Sequence, residues 1–391
     1  MNKQQQIDEL LSRGVDEVID HESLLKKLRG GKKLRIKLGI DPTSPNIHIG
    51  RAIILWKLRA FQELGHQVVF LIGDFTGLIG DTSDKDSERP QLTEADVKKN
   101  MKDYFNQAFM ILDKKKTETH YNSEWLKKIG AAELINLTNL FTLNEFQSRE
   151  LIKRRVQAGK PVSMREAIYP VMQGYDSVAI KADVELGGTD QRFNMLAGRV
   201  IQKAYKQTPQ DILTMQLLEG TDGRKMSSSW GNVVNLRDEP QDMFGKIMSI
   251  NDSLIERYFL LATRVPLKEI EAVIIKNKNP RDQKLVLAES ITALYHGDKK
   301  ASEAREHFIS QFSNKELPSD IPVVKITPGN YQLTELLLKA KLVASKSEAR
   351  RLIEQKGVRM NGEVAESQSV IIGKQNNLLL QVGKRKFVTI K

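Results

Sequence analysis

The composition of this 391-residue chain is that of a globular protein with room for two or three domains. It contains no cysteine, which excludes disulfides, thiolate catalysis and cysteine-based zinc sites, and its net charge of +12 favours a polyanionic partner. The first twenty residues carry no apolar signal segment, and every apolar run is too short for a membrane span. We therefore expect a cytoplasmic protein with no membrane partner.

The first part of the chain predicts the opening of a parallel α/β sheet. Amphipathic helices are predicted over 7–20 and 22–28, followed by a strand over 34–39. After a loop punctuated by prolines come a helix over 52–64 and a buried strand over 68–72. Strand, loop, helix and strand in this order are typical of a doubly wound sheet, which binds ligands at the carboxyl ends of its strands.

The rest of the chain is predicted to be mainly helical, with one further strand before a C-terminal unit. The expected segments are helices over 92–112 and 125–155, a helix, strand and helix over 168–179, 184–188 and 191–205, and helices over 240–310. Prolines at 318, 322 and 328 mark a linker.

Two short motifs predict one nucleotide site. Residues 42–51 (PTSPNIHIGR) place His48 and Gly50 at a helix start, where unpaired N–H groups and the helix dipole attract phosphate. Residues 224–229 (RKMSSS) place Lys225 on a loop of small hydroxylated residues. Such a site suits transfer of a nucleotidyl group, because charge stabilisation does most of the work in that chemistry.

These motifs and three further segments resemble class I aminoacyl-tRNA synthetases, and within them the bacterial tyrosyl enzymes with a KMS-type second signature. The further segments are 77–89 (GLIGDTSDKDSER), 169–176 (YPVMQGYD) and 187–191 (GGTDQ). The resemblance extends from about residue 34 to 391. Tryptophanyl enzymes share both nucleotide signatures, but the Tyr-x-x-x-Gln-x-x-Asp spacing is similar to that of the tyrosine enzymes. The implied reaction activates L-tyrosine with Mg·ATP and transfers tyrosyl to the 3′ end of tRNA(Tyr).

The resemblance also implies a role for individual residues. Those expected to stabilise the phosphates during catalysis are Thr43, His48, Lys85, Arg89 and Lys225. Further ATP contacts are expected from Gly50, Arg51, Gly188, Asp190, Met226, Ser227 and Ser228. L-Tyrosine is expected to contact Asp41, Asp81, Tyr169, Gln173, Asp176 and Gln191, with the Asp176 carboxylate accepting the phenolic O–H. No tightly bound metal is implied, because Mg²⁺ arrives with ATP.

Three positions depart from the family pattern. The first signature ends in Arg51 where histidine is usual, and Ser228 stands where a second lysine is common. Lys37 stands where several relatives place a tyrosine beside the substrate phenol. The sequence leaves open whether Lys37 points into the pocket.

The resemblance implies a chain of three domains, the first of which contains a Rossmann-type doubly wound parallel sheet. Residues 1–235 would form the catalytic domain, with a helical dimerisation insertion at about 100–170. Residues 236–320 would form an α-helical anticodon-binding domain, and 328–391 a small α+β RNA-binding domain. The implied homodimer has modest support from apolar helix residues that could equally belong to a core, namely Leu137, Leu140 and Phe141.

The charge of the tail supports an RNA partner. From residue 328 onward there are twelve Lys and Arg against five Glu and no Asp. Two helices over 333–340 and 347–355 precede a hairpin predicted to turn at Asn361-Gly362. The residues expected to line a basic tRNA-binding surface are Lys346, Arg350, Arg351 and Lys356. The alternative is an amphipathic helix whose charges are simply solvated.

Two other functions stay open at this point. One is an RNA-binding protein on a synthetase scaffold, with catalysis weakened at Arg51 and Ser228. The other is an enzyme that adenylates tyrosine for an acceptor other than tRNA. The retained pocket residues argue against the first, and the basic tail argues against the second.

Overall fold

The chain divides into two structural units near residue 305. The computed structural model describes residues 2–82, 91–313, 321–343, 345–365, 369–373, 378–383 and 386–390. The units comprise Met1–Arg305 and Glu306–Lys391. In the described ranges, no helix combines the length and the apolar composition that crossing a membrane requires.

A six-stranded sheet forms the centre of the first unit. Its strands are β1 Val15–Ile19, β2 Arg35–Ile40, β3 Gln67–Ile72, β4 Thr117–Tyr121, β5 Val184–Gly188 and β6 Asp211–Met215. They lie in the order β1-β6-β5-β2-β3-β4, and all pair in parallel except β1, which is antiparallel to β6. The chain leaves β2 toward β3 and β4 and returns at β5, so the order reverses between β2 and β5. This confirms the predicted doubly wound fold.

The first unit also contains many helices, and the last of them continues past Arg305 into the second unit. They are α1 Lys3–Ser12, α2 His21–Arg29, α3 Ile49–Glu63, α4 Thr76–Ile79, α5 Glu94–Met101, α6 Tyr104–Ala108, α7 Ser123–Leu126, α8 Ala131–Thr138, α9 Leu143–Gln147, α10 Glu150–Gln157, α11 Met164–Ala179, α12 Arg192–Ala204, α13 Pro240–Met248, α14 Ile255–Ala262, α15 Leu267–Lys276, α16 Pro280–His296 and α17 Asp298–Ser313. The predicted strands and helices nearest the cleft correspond to β2, α3, β3, α11, β5 and α12. The helical prediction for 240–310 is also confirmed.

The prediction of one helix over 7–20 is wrong. Helix α1 ends at Ser12, Gly14 takes a left-handed φ of 66°, and β1 follows. The β-branched residues of β1 pair with β6, whose five residues are all buried. That partner lies about two hundred residues away, so the local pattern cannot show it.

Two further strands, β4 and β6, were not predicted. Strand β4 has the polar sequence TETHY and sits at the edge of the sheet, where no apolar run is needed. It pairs with β3 and lies inside the range of about 100–170 expected as a helical insertion. Part of that range therefore belongs to the central sheet.

The second unit is a small α+β fold. Its elements are β7 Val323–Val324, β8 Gly329–Gln332, α18 Leu333–Lys339, α19 Lys346–Glu354, β9 Val358–Met360, β10 Glu363–Val364, β11 Ser369–Ile372, β12 Leu378–Val382 and β13 Lys386–Ile390. Leucines of α18 and Ala349 of α19 pack on a sheet ordered β10-β9-β12-β13-β7. The β9–β10 hairpin turns at Asn361 and Gly362, with φ of 49° and 90°, so this predicted turn is confirmed.

Candidate active site

A cleft of about 420 Å³ opens at the carboxyl ends of β2 and β5, where the strand order reverses. Its lining includes the expected catalytic and ATP-binding residues Thr43, His48, Gly50, Arg51, Gly188, Asp190, Lys225, Met226, Ser227 and Ser228. It also includes the expected tyrosine-binding residues Asp41, Asp81, Tyr169, Gln173, Asp176 and Gln191. The structure thus brings these residues together, whereas Lys85 and Arg89 lie outside the described residues.

The first signature lies at the start of α3. His48 immediately precedes the helix and is buried, so desolvation, together with the charges of Arg51 and Lys225, lowers its pKa to about 3. Its imidazole is therefore neutral, and within the described chain its Nδ1 has no hydrogen-bond partner. A Cβ on Gly50 would lie 3.1 Å from His48 Nδ1 and 3.3 Å from Met226 Sδ. Glycine therefore lets the two signatures meet.

The second signature forms a loop across the cleft from α3. Lys225 Nζ lies 3.0 Å from Asp190 Oδ2, and Ser228 Oγ lies 3.2 Å from Ser44 Oγ. Asn232 supports the loop by accepting a hydrogen bond from the Ser227 N–H at 2.8 Å. A cation, hydroxyl groups and a neutral imidazole therefore converge on one space, an arrangement suited to phosphate.

Arg51, the departure from the usual histidine, has specific partners. It donates to Thr43 Oγ1 at 3.0 Å and to the Tyr104 hydroxyl at 2.8 Å. Tyr104 in turn donates to the Ser44 carbonyl at 2.6 Å. The guanidinium therefore lines the cleft and also fixes the loop that precedes α3.

We call the part of the cleft lined by the two nucleotide signatures the nucleotide end, and the part lined by the expected tyrosine-binding residues the amino-acid end. Two carboxylates and a phenol form one side of the amino-acid end. Tyr169 donates to Asp41 Oδ2 at 2.9 Å, and Gln191 Nε2 donates to Asp81 Oδ2 at 2.6 Å. Burial, reinforced by Asp41 and Asp81, raises the pKa of Tyr169 well above its usual range, so its hydroxyl stays protonated. Two acidic side chains beside a hydroxyl suit an ammonium group.

Asp176 lies buried at the other side of this end. Trp125 Nε1 donates to its Oδ1 at 2.7 Å, and Asn122 Nδ2 lies 3.2 Å from its Oδ2. Burial raises the pKa of Asp176 to about 7, against an opposing effect of Lys37. Trp125 and Asn122 are not among the residues expected from the sequence. Asn122 directly follows β4, so recognition of that strand would have placed it at the ligand-binding edge.

Lys37 does not line the cleft but lies buried beneath it. Its Nζ is 2.9 Å from Glu185 Oε1, 2.8 Å from Ser177 Oγ and 2.9 Å from the Gln173 carbonyl oxygen. Glu185, which does line the cleft, was also missed, because a charged residue inside a buried strand has no recognisable pattern.

The expected tRNA-binding residues lie together in the second unit. Lys346, Arg350 and Arg351 belong to α19, Lys356 follows it, and all four side chains are exposed. The apolar side of this helix, represented by Ala349, is buried in the core of the unit. Among the described residues, no cluster of His, Asp or Glu could hold a metal ion.

The comparisons with known proteins define the class of this protein. The family of tRNA synthetases class I (W and Y) matches residues 29–313, and the Tyrosine--tRNA ligase SYY-like C-terminal domain matches 314–390. The chain belongs to this class I tRNA synthetase family.

Relatives similar over the whole chain are tyrosine–tRNA ligases. That of Thermotoga maritima is 46% identical over 100% of this chain and 98% of its own length. That of Shewanella oneidensis is 47% identical over 98% of each chain, and that of Coxiella burnetii is 45% identical over 100% of each.

Solved structures of tyrosyl-tRNA synthetases share the fold. The enzyme of Archaeoglobus fulgidus, complexed with L-tyrosine, has a TM-score of 0.60 at 22% identity and covers 78% of this chain and 100% of its own. A C-terminally truncated mitochondrial enzyme of Aspergillus nidulans has a TM-score of 0.66 at 22% identity, covering 78% of this chain and 94% of its own.

Proposed function

We propose that this protein is an ATP-dependent tyrosine–tRNA ligase. The carboxylate of L-tyrosine attacks the α-phosphorus of Mg·ATP, pyrophosphate leaves, and the terminal ribose of tRNA(Tyr) then accepts the tyrosyl group from the adenylate. The observation that carries the proposal is the single cleft lined by both nucleotide signatures and by Tyr169, Gln173 and Asp176. The near-full-length relatives named tyrosine–tRNA ligase support it.

The amino-acid end is proposed to hold tyrosine at both of its polar ends. Asp81, Tyr169 and Gln173 would bind the ammonium group, with Asp41 holding the Tyr169 hydroxyl at 2.9 Å. Asp176 would accept the phenolic O–H. Gln191, held by Asp81, would face the carboxylate that attacks ATP.

The nucleotide end is proposed to stabilise charge that develops on the phosphates. Thr43, His48 and Lys225 would contact phosphate oxygens, and Asp190 would contact the ribose hydroxyls. Lys85 and Arg89 would also stabilise the phosphates. Because Lys225 lies 3.0 Å from Asp190, it would exchange that carboxylate for phosphate when ATP binds. Mg²⁺ would enter with ATP.

The remaining parts of the chain are proposed to bind tRNA and a second subunit. Residues 236–320 would approach the anticodon, and the basic surface of 328–391 the tRNA backbone. Leu137 is buried, and Leu140 and Phe141 pack on the same internal cluster, so they do not support the dimer. A homodimer is instead supported by exposed apolar side chains around the insertion, namely Ile135, Leu143, Val156 and Met164. A cytoplasmic location belongs to the same proposal.

One assay separates this function from its alternatives. Tyrosine-dependent ATP–pyrophosphate exchange is measured beside charging of tRNA(Tyr). Exchange with charging supports the ligase, exchange alone indicates another acceptor, and neither indicates an RNA-binding protein. His48→Ala should lower kcat for exchange at least about tenfold, since binding energy used only in the transition state appears in kcat. Asn46→Ala, an exposed change in the same loop, is the matched control.

A further inference from the structure

Three charged side chains are buried together beneath the amino-acid end of the cleft. They are Lys37 on β2, Glu185 on β5 and Asp176 on α11, with exposed fractions of 0%, 1% and 3%. Lys37 and Glu185 are direct neighbours in the parallel register of β2 and β5. Burying charge is costly unless it is paired, so the cluster needs a reason beyond packing.

We infer that the Lys37–Glu185 pair is a specificity-determining element that acts through Asp176. It keeps the Asp176 carboxylate ionised, so that this carboxylate requires the phenolic O–H of tyrosine and penalises phenylalanine. Lys37 itself does not touch the amino acid. The inference rests on the proposed function, since it concerns the substrate of that same site.

The hydrogen bonds of Asp176 make its charge important for selection. Trp125 donates to one oxygen and Asn122 to the other, and both of these groups are donors. The ionised carboxylate still has lone pairs for a substrate O–H. Phenylalanine would leave a buried negative charge short of that donor, whereas a protonated Asp176 would carry a smaller penalty.

Lys37 is the one cation in the cluster of three. Without it, two buried carboxylates would remain close together, and one of them would take up a proton. Glu185 accepts from three further donors, Gln173 Nε2 and Ser177 Oγ, each at 3.2 Å, and Gln210 Nε2. Within the described part of the chain Asp176 accepts from two donors, Trp125 and Asn122, so we assign the proton to Asp176.

The surroundings of Asp176 are consistent with this assignment. Burial raises its pKa to about 7, the charge of Lys37 is the strongest influence in the opposite direction, and Glu185 raises it. The other titratable groups nearby are Tyr169, with Asp41 behind it, and His120, whose ring lies 5.9 Å from that of Trp125.

The geometry argues against a direct contact between Lys37 and the substrate. Its Nζ has three acceptors, Glu185, Ser177 and the Gln173 carbonyl, all within 2.9 Å. Gln173, Asp176 and Glu185 line the cleft, and Lys37 is absent from its lining. Lys37 is therefore a positioning residue.

The test compares kcat/KM for L-tyrosine and L-phenylalanine in pyrophosphate exchange across pH 6 to 9. In K37M, the ratio of kcat/KM for tyrosine to kcat/KM for phenylalanine should fall about three- to tenfold at pH 7.5. The acid limb of the pH profile for tyrosine should move to higher pH by about one unit, since one pKa unit is a tenfold change. E185Q should move the acid limb of the tyrosine profile to lower pH. K37M/E185Q, which restores the net charge of the cluster, should return the ratio to within a few-fold of the parent.

Controls keep the outcomes distinct. K33M removes an exposed lysine four residues before Lys37 and should leave the ratio unchanged. An unchanged ratio and pH profile in K37M would overturn the inference, as would a double variant as impaired as K37M, which would indicate direct contact with the substrate. If K37M does not fold, an unshifted acid limb in the isosteric E185Q still overturns it. A parent without tyrosine-dependent exchange would instead refute the proposed function.

Discussion

Individual residues of the cleft have charge states that burial sets differently at its two ends. At the nucleotide end, burial and two neighbouring cations lower the pKa of His48 to about 3, so this side chain adds no charge near neutral pH. At the amino-acid end, burial raises the pKa of Asp176 to about 7. The positive charge at the nucleotide end therefore comes from Lys225 and Arg51, and at the other end protonation of Asp176 would change the group that faces the proposed amino-acid substrate.

Discrimination between tyrosine and phenylalanine should depend on pH. Asp176 is protonated below its pKa of about 7, so kcat/KM for tyrosine should fall roughly tenfold for each pH unit well below that value. The value for phenylalanine should stay flat or rise. Lys57 has a pKa that burial lowers to about 7, but it lies outside the cleft lining and should affect both substrates equally. A ratio independent of pH between 6 and 8 would contradict this prediction.

Arg51 should act by holding Thr43. Arg51→Ala removes hydrogen bonds to Thr43 and Tyr104, so kcat for pyrophosphate exchange should fall about tenfold or more, roughly the value of one charge-assisted hydrogen bond. KM for tyrosine should change little, because Arg51 lies at the nucleotide end. Tyr104→Phe, which keeps the Thr43 contact, should have a smaller effect. Equal losses in the two variants would show that Tyr104, and not Thr43, is the important partner.

Helices and strands that are determined by their own residues can be predicted from the sequence. Helix α3 was predicted from its apolar periodicity and β3 from its apolar run, and the short strands β2 and β5 were predicted although each includes a charged residue. By contrast, β1, β4 and β6 were missed, since short edge or buried strands are defined by partners distant in sequence. For the same reason part of the site was not predicted. Trp125 and Asn122 follow β4, and Glu185 is a charged residue that local patterns place outside a core. Lys37 was noted in the sequence, but its buried pairing with Glu185 could not be predicted.

A buried ion pair joins α10 to α11, the helix that carries Tyr169, Gln173 and Asp176. Arg155 donates to the two carboxylate oxygens of Glu166 at 2.6 and 3.0 Å, and both side chains are buried. Arg155→Met leaves Glu166 without this partner and should destabilise the first unit by about 3–5 kcal/mol, measured as a shift in its urea transition. R155M/E166Q should recover a substantial part of that loss. No recovery would indicate that the packing of Arg155, rather than its charge, stabilises the helices.

Over the whole molecule, positive charge and catalytic residues lie in different parts of the chain. The residues lining the cleft lie between Leu38 and Ser228. The excess of Lys and Arg is concentrated after residue 328, and four exposed members of that group lie on or beside α19. If the basic residues beside α19 bind RNA, this separation predicts that adenylate formation and RNA binding can be changed independently.

Removal of a basic side chain from α19 should therefore weaken tRNA binding without affecting pyrophosphate exchange. If Arg350 and Arg351 contact phosphates, each change to alanine releases about one counterion fewer on binding, so the slope of log K against log salt should flatten by roughly 0.7 to 0.9 per residue. Binding of tRNA(Tyr) is measured by filter retention between 50 and 300 mM salt. Lys203→Ala, which removes an exposed charge from α12, should keep the slope of the parent. If the α19 variants behave like Lys203→Ala, the basic residues of this helix are solvated and make no contact with RNA.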